Sequence, residues 1–221
     1  MKKLVMTVAV LACAASFVSA QTVTSANMVG YSKVSNVAGL QIGSAQFLVG
    51  DSNTVTDVFG DQLPVGSKIY KFDPANGYGG NISTYSAVFL GGTAWNVELE
   101  LLPGVGYWVE AAADAETIIS GEVPLDEIVT NNIVAGLQLM SYPYPVATSI
   151  SQMQFNPTVG DKVYKFDSAN GYSGSISTYS DVFLGGTAWD IDLTFEVGEG
   201  FWYESAAAGT VQWIVNRPFT P

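Results

Sequence analysis

The chain has 221 residues, with eight basic and twenty acidic side chains, no histidine and a single cysteine, for a formal charge of −12. Without histidine there is no Ser-His-Asp or Cys-His site and no zinc or copper centre built on imidazole. The acidic balance repels nucleic-acid phosphates and anionic lipid headgroups, which excludes a nucleic-acid partner.

Taken from the start, Lys2 and Lys3 precede an apolar run over residues 4–18, and Val18-Ser19-Ala20 offers small residues where a signal peptidase cuts. This predicts a signal peptide over 1–20, cleavage before Gln21, and a secreted, extracellular or cell-surface location. The apolar run is shorter than the ~20 residues that span a bilayer, and no transmembrane segment follows it. Val10-Leu11-Ala12-Cys13 loosely matches a lipidation motif, which is the alternative fate of this leader. Cleavage removes Lys2, Lys3 and Cys13, leaving six basic against twenty acidic residues, a formal charge of −14. An exported chain without cysteine has no disulfide and rests on its core alone.

The mature part repeats itself. KFDPANGYGGNISTYSAVFLGGTAW at 71–95 returns as KFDSANGYSGSISTYSDVFLGGTAW at 165–189, and 23 of 28 positions from Lys68 to Trp95 are identical to residues 162–189. Upstream, NVAGLQIGSAQF at 36–47 answers NIVAGLQLMSYPY at 132–144 with an offset of 97 rather than 94, so the second copy lacks three residues before Lys162. A period near 95 residues is a whole domain rather than a solenoid unit. The division expected is a β domain over 21–123 and its copy over 124–221, joined through GEVPLDEIVTNN at 121–132. Lys71 and Lys165 should then occupy like environments.

Within a copy, KIYKF is β-prone and runs into DPANGY, where Asp73, Pro74 and Asn76-Gly77 predict a hairpin turn. NVELEL at 96–101 and DIDLTF at 190–195 alternate polar and apolar residues as half-wet strands do. PGVGYWVE and VGEGFWYE place glycines ahead of an aromatic run, the pattern of a tight turn entering a buried strand. No segment of the mature chain has helical period over a useful length. The fold class predicted is all-β: two tandem homologous small antiparallel β-sandwich or barrel domains of six or seven strands each, behind a signal peptide.

The succession AGLQIGSAQF, VGSKIYKFD, AW and LLPGVGYWVE resembles a module of exported bacterial proteins, in which a GWNLIS-like strand precedes a YxFD strand-turn and an LxPGxGYWV strand. SANMVGYSKV at 25–34 is similar to the start of secreted β-domain repeat proteins of the verrucomicrobial and planctomycete group. The likeness covers nearly all of the mature chain. It departs at Leu40 and Leu137, where the module has tryptophan, and at Val197, which stands where the first copy has Pro103. It implies an extracellular β module, often repeated or joined to other surface parts, and brings no catalytic or binding residues with it.

The chemistry left open is narrow. Glu110 and Glu204 follow aromatic runs at equivalent positions, and Asn96 and Asp190 follow Trp95 and Trp189; a carboxylate-only glycan hydrolase would need two such groups flanking one bond. The turns invite a weak calcium reading on Asp73 with Asn76 and Asp167 with Asn170, against a plain Asx turn. Otherwise no cofactor is expected. Tyr78, Tyr85 and Trp95, with Tyr172, Tyr179 and Trp189, are candidate sugar-stacking rings if exposed and core if not. Trp108 and Trp202 read as core. Asn81-Ile82-Ser83 is a formal glycosylation sequon lost in the second copy, at Ser175, and reads as chance. The function expected is a non-enzymatic secreted tandem module with a structural, matrix or cell-surface role, partnered by itself, an envelope component or a glycan. A carbohydrate-binding domain pair is the alternative.

Overall fold

The computed structural model describes residues 28–89, 91–182 and 185–220, so the signal-peptide and lipidation readings at 1–20 lie outside the described residues. The first copy comprises β1 (Val29–Asn36), β2 (Gly39–Ser44), a one-turn helix α1 (Val55–Phe59), β3 (Lys68–Tyr70), β4 (Ile82–Ala87), β5 (Thr93–Trp95), β6 (Gly106–Ala111) and β7 (Ala115–Glu122). The second comprises β8 (Ile128–Ile133), β9 (Gly136–Ser141), β10 (Thr148–Ser149), β11 (Lys162–Tyr164), β12 (Ile176–Asp181), β13 (Thr187–Trp189), β14 (Thr194–Phe195), β15 (Gly200–Ser205) and β16 (Val211–Asn216).

The two sets of sheets correspond strand for strand. Strands β2-β6-β3-β4-β5 form one five-stranded antiparallel sheet, and β9-β15-β11-β12-β13 form another in the same order. Each is accompanied by a two-stranded antiparallel ribbon, β1 with β7 and β8 with β16. The fold is thus all-β, in two similar sandwich-like halves. The sheets stay open, so the barrel alternative does not hold among the described residues. Lys71 and Lys165 match in two bonds, each backbone N–H donating to the carbonyl of the residue ten positions on, Asn81 and Ser175, and each Nζ donating 2.7 Å to a carbonyl, of Glu100 and Thr194, while Lys165 alone adds an ion pair, with Glu199.

Alternation explains which residues fill the core. In β6, Tyr107, Val109 and Ala111 point inward and are buried, while Trp108 and Glu110 face the other way. In β15, Phe201 and Tyr203 are buried where Trp202 and Glu204 are not. The first core gathers Phe47, Phe59, Leu63, Ile69, Leu101 and Tyr107. The second gathers Tyr142, Tyr144, Met153, Phe195, Phe201 and Trp213. Each fully buried ring or aliphatic contributes roughly 1.5–3 kcal/mol. Without disulfides, these side chains carry the stability.

Three local expectations need correction. Residues 96–101 alternate in burial but form no ladder beyond a single bridge from Glu100 to Thr54, and of 190–195 only Thr194 and Phe195 pair as a strand. The helix itself was not legible as a periodic segment. Five residues are too few for a helical period, and the signal is instead a capping box in which Thr54 accepts from the Asp57 N–H and Asp57 accepts from the Thr54 N–H. Most of 121–132 is not a connector, since β7 runs to Glu122 and β8 starts at Ile128.

Candidate functional site

Several of the contacts by which the two halves meet are reciprocal and present twice. Gly43 bridges Glu199, and its counterpart Met140 bridges Val105. The Ser44 N–H donates 2.9 Å to the Gly198 carbonyl, and Ser141 N–H donates 3.1 Å to that of Gly104. Phe72 meets Trp202 edge to face at 4.8 Å between centroids, and Phe166 meets Trp108 at the same distance. Gly106 and Gly200 make this approach feasible: a Cβ on Gly106 would stand 2.6 Å from the Met140 carbonyl oxygen, and one on Gly200 2.7 Å from that of Gly43. The molecule is therefore built like a two-fold dimer within one chain.

This interface changes the reading of several aromatic residues. Trp108 and Trp202 are not core; they are half-buried rings clasped by the opposite copy. Tyr78 and Tyr172 belong to the same clasp. Each packs edge-on to a phenylalanine at 5.3 Å, Phe72 and Phe166. Burial raises both hydroxyls above the usual tyrosine range, and a hydrogen bond from the Trp108 or Trp202 indole partly offsets the rise. Tyr85 and Trp95 lie in the first core, where the Trp95 indole donates 2.9 Å to the Gly60 carbonyl at the end of α1. Their counterparts Tyr179 and Trp189 stay half-buried, because no helix covers that end of the second copy. The six candidate rings thus serve three environments and do not form one surface.

The Asp-Asn turns are built alike. Asp73 Oδ1 accepts from the N–H groups of Ala75 and Asn76, each at 2.8 Å, and from the Asn76 side chain. Asp167 Oδ1 does the same with Ala169 and Asn170. Both are Asx turns, with Gly77 and Gly171 at positive φ completing the bend. Among the described residues no three acidic side chains gather as a cation cage would require.

Glu110 and Glu204 sit far from a catalytic pair's needs. On the outer face of the first sheet, Glu110 accepts from Lys68 Nζ at 3.1 Å and from the Tyr70 hydroxyl. Glu204 accepts from Lys162 Nζ at 3.3 Å and from the Tyr164 hydroxyl. The tyrosine hydrogen bond first, and the lysine with it, hold each carboxyl below the usual range. An acid catalyst needs the opposite shift. Asn96 and Asp190 cap the β4 and β12 ribbons by accepting from the Thr84 and Thr178 N–H groups.

Sequence reasoning passed over two features. One is the tip of the β4–β5 hairpin, where Val88 is 44% and Phe89 93% exposed; the matching Val182 is 43% exposed. The residues VFLGGTAW are identical at 88–95 and 182–189, and that identity was the available signal. The other is a pair of clefts at the two ends of the interface, of about 290 Å³ beside Glu199 and about 360 Å³ beside Asn131. These depend on contacts between copies and had no local signature. Comparison with known protein families, with characterised proteins and with solved structures gives no match to this chain.

Proposed function

We propose that this chain is an exported, non-enzymatic interaction module with a structural, matrix or cell-surface role, presenting the apolar tip of its β4–β5 hairpin to an envelope or matrix protein. The observation that carries the reading is Phe89, 93% exposed at the tip of a hairpin whose sequence is kept unchanged between copies. The exposed position beside it has diverged, with Ala87 becoming Asp181. The turn itself is secured by Gly91 and Gly92 at positive φ, so the phenylalanine has no folding duty that would preserve it. An anionic lipid surface fits poorly, since the mature charge of −14 opposes it. A repeated module raises avidity without an active site.

The glycan-binding alternative draws its support from the second copy, where Tyr179 and Trp189 remain half-open. For the tip, the test is fractionation and sedimentation of the mature chain beside a Phe89→Ser variant. Native protein should co-fractionate with the envelope, and the variant should be released about tenfold more readily at an unchanged melting temperature, the loss of about one buried ring's contribution. Equal retention of the two, or a native chain that stays monomeric and never associates, would sink the proposal.

A further inference from the structure

From the cleft beside Asn131 we infer a binding site for a neutral sugar, which the sister cleft beside Glu199 lacks. The inference is independent of the hairpin tip. The two clefts are equivalent by the repeat, so each serves as the other's control. Where the first ribbon has Val34, the second has Asn131, both packed against a glycine of the opposite turn region. A Cβ on Gly198 would meet Val34 Cγ2 at 2.9 Å, and one on Gly104 would meet Asn131 Nδ2 at the same distance. Val34 fills that place with an apolar group. Asn131 fills it with an amide whose Nδ2 is buried and has no hydrogen-bond partner. A buried donor left unmade is costly, and natural interiors rarely leave one.

A second substitution points the same way. In the sister cleft, Lys165 Nζ pairs with Glu199 at 2.7 Å. The position equivalent to Glu199 is Val105, and Lys71 has no carboxylate partner among the described residues. Lys71 therefore keeps donor capacity beyond its one bond to the Glu100 carbonyl. Divergence has thus left one donor unmatched and a second with capacity to spare in the lining of one cleft. Gln138 and Asp73 add acceptors to the lining, and Phe72 adds an aromatic border.

The chemistry selects the ligand class. Lys71 and Asp73 balance, so the cleft carries no net charge and the chain's acidity disfavours an anion. Mixed donors and acceptors beside a ring suit hydroxyl groups on a partly apolar framework. The volume of about 360 Å³ falls at the small end of ligand pockets and admits a mono- or disaccharide.

The test titrates the mature chain with maltose, cellobiose and chitobiose, following the Asn131 side-chain amide by NMR, with glucuronate as the anionic comparison. At least one disaccharide should shift that resonance saturably. Asn131→Val, which installs the sister residue, and Asn131→Asp, which keeps the shape without the donor, should each weaken binding about tenfold. Asn131→Val should also raise the melting temperature of the free protein. No saturable shift, undiminished binding by both variants, tighter binding of glucuronate, or a lower melting temperature for Asn131→Val would each overturn the assignment.

Discussion

Single residues decide the electrostatic behaviour. Glu110 and Glu204 have folded-state pKa values below the ordinary 4.5 because a tyrosine hydroxyl and a lysine favour the carboxylate. A lowered carboxyl pKa contributes stability that is present above about 4.5 and is lost as pH falls through the folded value. The tyrosines run the other way. Burial, with Glu204 second, pushes Tyr164 up to about 12, and burial likewise pushes Tyr142 up to about 12. Their contribution is intact below pH 10 and is lost as pH rises from 10 towards 12. Urea titrations across pH should therefore show a plateau with a fall on each side, and Glu110→Gln/Glu204→Gln should flatten the acid limb. An acid limb unchanged in that variant would contradict the assignment.

At the scale of elements, the close approach of β6 to β9 and of β15 to β2 rests on glycine. Adding a methyl at Gly200 drives it to 2.7 Å from the Gly43 carbonyl oxygen, a backbone atom that cannot swing aside. Overpacking of this kind costs about 1–3 kcal/mol. Gly200→Ala should lower the urea midpoint accordingly, whereas Gly209→Ala, with open space around it, should leave it unchanged. Equal behaviour of the two would mean that the contact between copies is loose. The same scale shows where the repeat drifted. Thr54 corresponds to Ser149 through their bridges to Glu100 and Thr194, an offset of 95. Two of the three missing residues thus fall before α1 and one after it. In the second copy the residues equivalent to the helix, 150–154, form a turn instead, while the bridge that precedes it is kept as the short β10–β14 pair. That single difference buries Trp95 and leaves Trp189 half-open.

For the whole molecule, the reciprocal ring clasp joins the backbone bridges between the halves, and Phe219, which packs against both cores, in coupling the two copies. Removing a large half-buried ring from such a contact costs about 2–3 kcal/mol, near the low end for a buried aromatic. The native chain should unfold in one transition by both calorimetry and near-ultraviolet dichroism. Trp108→Ala/Trp202→Ala should separate it into two, one per half. A single transition in the double variant would show that other contacts suffice for the coupling.

What the sequence determined by itself is the repeat and the strand chemistry within it. Alternation marked the buried faces at Tyr107, Val109, Phe201 and Tyr203, and the DPANGY and DSANGY turns were written in residues whose preferences are local. The ribbons β1–β7 and β8–β16 pair residues 78 to 93 positions apart, so no short window contains their signal. Likewise, Trp108 and Tyr78 read as core or stacking rings because hydrophobic sequence cannot say whether burial comes from the same copy or the other one. Only tertiary structure made that choice, and with it the two unlike clefts, since the partners of each cleft residue come from the opposite half of the chain.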